Sequence, residues 1–144
     1  MKATTSYDAA QNSGGTLIAF LVLTNTSTST CTLDGYSGVD FLNPSGSSLG
    51  MSTQRVPGSN AAPEKVQTVA PGKSASEEIT FAYAANDQGD GCENAGTISV
   101  IPPNQTQSLH TQLTSVKTGT IPFFGVCGNT ITVFPIVPAD QIPN

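Results

Sequence analysis

The chain has 144 residues, 5 Lys and Arg against 10 Asp and Glu, and a net charge of −5. That length suits one domain with its own hydrophobic core, and cations scattered at Lys2, Arg55, Lys65, Lys73 and Lys117 exclude the basic patch that nucleic-acid binding requires. Nineteen Thr, fifteen Ser, 14 Gly and 10 Pro imply a hydroxyl-rich surface, frequent turns and no long helices.

In chain order, KATTSYDA alternates and reads as an edge strand, and QNSGG reads as a turn. TLIAFLVLTN is apolar on both faces and rich in β-branched and aromatic residues, so it reads as a central strand. Its apolar run, Leu17 to Leu23, is far shorter than the roughly 20 residues a spanning helix needs. It also lies too deep and lacks the basic flank of a signal peptide. The chain is not expected to span a membrane. A polar run then leads to Cys31. SGVDFLN, the turn NPSG and SSLGMST read as a hairpin, with Pro44 at the second turn position.

QRVPGSNAAP reads as a loop. EKVQTVAPGKSASEEITFAYA gives two strands joined by APGK. In the second of them Ala75, Glu77, Ile79, Phe81 and Tyr83 share one face, and Glu78 points to the other. Glu77 and Glu78 therefore cannot act as a carboxylate dyad. ANDQGDG is a loop, GTISVIPP a strand ended by its prolines, and QSLHTQL a short strand. KTGTIPFFGVCGN reads as a loop. TITVFPIV reads as a last strand, with Pro135 at a sheet edge or a terminal position because it cannot donate to a ladder. About eight short strands with regular turns predict an antiparallel immunoglobulin-like β-sandwich. No repeat or linker divides residues 1–144, so a single domain is expected.

The three cysteines, Cys31, Cys92 and Cys127, show no zinc-ligand spacing, and the only histidine is His110. The choice lies between inert buried thiols and one disulfide with one thiol over. Cys92 and Cys127 both sit in Gly-flanked segments, GDGCEN and GVCGN, placed to meet at one end of a sandwich. Closing that loop would stabilise by roughly 3–4 kcal/mol. A Cys92–Cys127 disulfide with Cys31 unpaired is the expectation, with three thiols as the alternative.

LVLTNTSTSTCTLDGYSGVDFLNPSG, LG, VAPGKSAS, Cys92 followed by GTISVIPP, and Cys127 followed by ITVFPI occur in this order over about residues 16 to 137. That series resembles the actinobacterial domain of unknown function 4232. The resemblance implies a β-sandwich and an envelope location, behind a signal peptide or lipoprotein signal upstream of this chain. It supplies no catalytic or binding residue. The chain departs from the family at Ser37, where Pro is usual after Gly-Tyr, and in lacking a cysteine before Leu17. Cys31 thus resembles the survivor of a strand-to-strand bridge, free to pair upstream or between chains.

No catalytic, cofactor or metal-binding residues are assigned from the sequence, and no cofactor is expected. His110 has Ser108 and Thr111 beside it but no nucleophile motif, and reads as an ordinary strand histidine. Asp87, Asp90 and Glu93 lack the ligand order of a calcium loop and read as an acidic loop. Tyr36 reads as an edge-of-core residue with its hydroxyl bonded nearby. Ile121, Phe123, Phe124 and Val126 form the candidate interaction loop, and close the core if they are not exposed. The leading functional reading is a non-enzymatic, extracytoplasmic binding module for a protein, glycan or small ligand. The alternatives are a structural accessory domain and a secreted hydrolase or metal-dependent enzyme.

Overall fold

The computed structural model describes residues 1–7, 15–58, 66–84, 92–117 and 119–138. All regular structure among them is β. The first pair is β1 (Lys2–Tyr7) and β2 (Thr16–Thr24), antiparallel from Lys2 opposite Thr24 to Tyr7 opposite Ala19. Leu17, Ala19, Leu21 and Leu23 alternate into the core, and Phe20 is buried on the other face. Burial on both faces explains why this segment carries no polar alternation.

The polar run after β2 is organised by Asn25, which is fully buried. Its Nδ2 donates to Ser29 O and Val69 O, while its Oδ1 accepts from Ser27 N and Ser27 Oγ. A satisfied amide in the interior fixes the turn leading to β3 (Cys31–Leu33). β4 (Gly38–Leu42) follows and buries Val39 and Phe41. The turn at Asn43–Gly46 holds: Asn43 Oδ1 accepts from Ser45 N and Ser47 N, and Gly46 takes a φ of 93°. The expected return strand is reduced to a single bridge between Leu42 and Ser48. The chain instead leaves for the other sheet as β5 (Ser52–Arg55), a fully exposed edge strand.

β6 (Gln67–Val69) pairs with β3, and β7 (Ser74–Ala84) forms the middle of the large sheet. β8 (Cys92–Ala95) runs into β9 (Thr97–Ile101) through Gly96, where the chain changes sheets. A Cβ on Gly96 would lie 3.4 Å from Pro122 O and 3.5 Å from Pro44 Cα, ordinary contact distances, so the crossing is closely packed but has room for a small side chain. The QSLHTQL segment is two strands. β10 (Leu109–Thr111) pairs with β9, and after Gln112 β11 (Leu113–Ser115) pairs with β1. β12 (Gly119–Thr120), β13 (Phe124–Val133) and β14 (Val137–Pro138) complete the chain.

The large sheet has the order β12-β11-β1-β2-β7-β13-β5, with β14 joined to β7 and β8 to β13. The sheet β10-β9-β4 and the pair β3-β6 complete a sandwich-like arrangement around one core. The pairing is mostly antiparallel, but β1–β11 and β13–β5 are parallel, so the sheet is mixed rather than purely antiparallel. Across the sandwich Phe41 meets Phe81 and Phe124 edge-on, with ring centroids 4.8 and 5.5 Å apart.

One expectation needs correction and one is narrowed. The segment FGVCGN is strand, not loop, and β13 lies inside the sheet between β7 and β5 rather than at its edge, with Pro135 just past the strand's end. Its strand ends at Val133, before Pro135, so the missing proline N–H is never needed in this ladder. Between Cys127 opposite Ala82 and Ile131 opposite Phe81 the register shifts, and Gly128 takes a φ of 74°. A bulge there lets a glycine-rich sequence continue as one strand.

Candidate functional site

The outer face of the small sheet carries a polar row. Asp40 on β4 lies opposite Ser99 on β9, and Ser99 lies opposite His110 on β10. Directly paired residues point to the same face. The alternation that sends Val39, Phe41, Ile98 and Val100 inward therefore sends Asp40 and Ser99 outward. His110 is exposed at the end of the row. Beside it a cleft of about 310 Å³ is lined by Asp40, Ser48, Thr53 and Ser99, with Val39, Met51 and Ile101 as its apolar part. It combines one carboxylate acceptor with three hydroxyls that both donate and accept.

The row can also be weighed as catalytic machinery. Ser99 sits next to His110, which suits a nucleophile and its base. Asp40, however, is two strand spacings from His110, on the order of 10 Å. It lies on the far side of Ser99, so it cannot orient the imidazole as a triad carboxylate does.

One edge of the cleft leads to a second polar cluster. Gly38 lines the cleft, and the two residues before it hold the β3–β4 connection in place. Tyr36 Oη donates to Val56 O at 2.6 Å, and Arg55 lies 5.3 Å from the centre of the Tyr36 ring. Ser37 N donates to both carboxylate oxygens of Glu77, at 3.3 and 3.2 Å. Glu77 is on β7, on the inward face with Ile79 and Phe81, and is 0 % exposed. Burial pushes its carboxyl up from 4.5 to about 7, opposed by Ser37 and by Arg55. The Ser37 hydroxyl is enclosed and reaches no partner in hydrogen-bonding geometry. Ser37 thus opposes the shift through both its hydroxyl and its backbone N–H, of which only the N–H is in hydrogen-bonding geometry.

The sequence placed Glu77 on this face but assigned it no role. The available signal was a carboxylate in phase with Ala75, Ile79 and Phe81 on a central strand. Tyr36 packs against the core with its hydroxyl bonded, and His110 is solvent-facing on β10. The candidate interaction loop does not survive as one surface. Phe124 and Val126 are core residues of β13, and Ile121 packs partly against the core. Phe123 alone is outside, at 56 % exposure. The reason is strand periodicity: Phe124 and Val126 sit two apart on the inward face.

Cys92 and Cys127 are directly paired on β8 and β13 and joined by a disulfide, with Cα atoms 3.9 Å apart. Cys31 is a free, half-buried thiol on β3. Asp87 and Asp90 lie outside the described residues, and Glu93 is exposed on β8. Among the described residues no three His, Cys, Asp or Glu side chains group as metal ligands, and no helix is long and apolar enough to cross a membrane.

No curated protein and no solved structure matches the chain. The family model described as Domain of unknown function (DUF4232) matches residues 2–136, nearly the whole sequence, and the chain belongs to that family.

Proposed function

We propose that the protein is a non-enzymatic binding module acting outside the cytoplasm, and that its cleft takes a small hydroxyl-rich ligand such as a glycan unit. The observation that carries this reading is the in-register row Asp40–Ser99–His110, of which Asp40 and Ser99 line a 310 Å³ cleft. A carboxylate, three hydroxyls and an apolar wall suit a neutral polyol, whose hydroxyls need alternating acceptors and donors. The disulfide is compatible with an oxidising compartment. Calorimetric titration with a panel of neutral oligosaccharides tests the reading. Asp40→Asn and Ser99→Ala should weaken any binding tenfold or more with an unchanged melting temperature, since both residues face outward. Absence of binding across the panel, or binding indifferent to both changes, contradicts it.

The neighbouring Ser99 and His110 favour one other reading, a secreted hydrolase with Ser99 as nucleophile. A fluorophosphonate probe distinguishes them. Covalent labelling of Ser99, lost in His110→Ala, would support the enzyme.

A further inference from the structure

Glu77 is fully buried, yet the hydrogen-bond donor seen on its carboxylate is a single backbone N–H shared between the two oxygens. A carboxylate has about four acceptor sites, and at 3.2 and 3.3 Å these contacts are long beside the roughly 2.7–2.9 Å of strong charge-assisted bonds. The hydroxyl of the same donor residue, Ser37, is enclosed without a partner. Both under-satisfied groups lie at one seam, between the β3–β4 connection and β7. The flanking residues Gly35, with a φ of 107°, and Gly38 place glycines on both sides of that seam.

We propose that Glu77 is a proton-controlled clasp: with its carboxyl neutral the Tyr36–Gly38 segment stays closed on β7, and with the carboxyl ionised that segment opens to water. The closed seam gives a charge one backbone N–H and no exposure to bulk solvent, whereas the opened seam hydrates it. Whatever makes the closed form hold its proton more tightly than water does also makes ionisation favour opening, by the same factor. The charged group acting on Glu77 is Arg55 of β5, which lies over the Tyr36 ring and is exposed. On β2 the paired neighbour is Leu21, on β7 the inward neighbours are Ala75 and Ile79, and Asp34 is exposed at the start of the connection. With the carboxyl held near 7 rather than 4.5, the ceiling on the change in the opening equilibrium is roughly 300-fold between mildly acidic and mildly alkaline pH. Gly38 and Val39 continue into the cleft wall, so opening would move one side of the cleft; only that consequence rests on the proposed function.

Amide hydrogen exchange on the full chain, read by NMR from pH 5 to 8.5 without ligand, tests the clasp. Protection factors, corrected for the intrinsic pH dependence of exchange, should fall at least tenfold at Ser37 and Gly38 as the pH rises. They should stay level in Glu77→Gln, and the Phe81 amide should change less than these in either protein. Level protection at Ser37 and Gly38 in the wild type, or an equal fall in Glu77→Gln, overturns the proposal. Should the variant not fold, the wild-type carboxyl is followed directly by carbon NMR. A midpoint well above the ordinary glutamate range, with the Ser37 amide shift titrating in step, supports the clasp, and an ordinary glutamate midpoint overturns it.

Discussion

Two neighbouring stretches of β7 meet the opposite side of the sandwich in opposite ways. At Ile79 and Phe81 the strand faces a dry apolar seam, where Phe81, Phe41 and Phe124 form an interlocked trio with centroids 4.8 to 5.6 Å apart. At Glu77, one step along the same face, the contact is a carboxylate on one backbone N–H. The aromatic seam is non-directional and gains from every buried methylene. The carboxylate seam depends on a proton, because an ionised group without water or a full set of donors is costly. One strand thus carries a permanent joint and a conditional one. The conditional joint lies beside the cleft.

The largest way to break the permanent joint is Phe124→Ala. It removes a ring that is 1 % exposed and should destabilise by about 3–5 kcal/mol in a denaturant titration. Replacing both Cys92 and Cys127 by Ala comes next. The bridge spans 35 residues, and its loss should cost roughly 3–4 kcal/mol in the chain-entropy account; the cysteines are directly paired across β8 and β13, so the strands themselves should remain paired. Tyr36→Phe probes the conditional side. It deletes the 2.6 Å bond to Val56 O and should cost about 1–2 kcal/mol, with the larger effect if the carbonyl is left unsatisfied. Phe123→Ala should change stability by less than about 0.5 kcal/mol, since that ring is mostly in solvent. A large loss at Phe123 would place the ring in the core and undo the assignment of inward and outward faces on β13.

Several elements were legible because local pattern and tertiary role agree. The run Leu17–Leu23 is apolar on both faces and is a central strand, and the alternation around Ile79 and Phe81 faces the core. β5 was hidden because Ser52–Arg55 has no apolar residue to bury, and its pairing comes from β13, some 80 residues away. The first part of β13, before Thr130, was hidden because Gly125 and Gly128 read as turn residues, while the bulge that accommodates them depends on β7. The two cysteines looked like loop residues for the same reason. The polar row could not be read from sequence at all: Asp40, Ser99 and His110 share no motif, and only the registers of β4, β9 and β10 align them. Glu77 was in plain view on an apolar face. What the sequence lacked was its donor, Ser37, which approaches from the other side of the sandwich.

Stability against pH tests most directly whether the Glu77 seam is conditional on a proton. The unfolded chain releases this proton near 4.5 and the folded chain near 7. Between those values the folded state binds the proton and the unfolded state does not, so stability falls as the pH rises and levels off above 7. Wild-type unfolding free energy should drop by roughly 3 kcal/mol across that window, at 1.36 kcal/mol for each pH unit of separation. Glu78, half-buried and also raised by burial, adds a smaller slope of the same sign that Glu77→Gln retains. Glu77→Gln should nearly match the wild type at pH 4.5 and be the more stable protein at pH 8. A variant as pH-dependent as the wild type, or one less stable at pH 8, would contradict it.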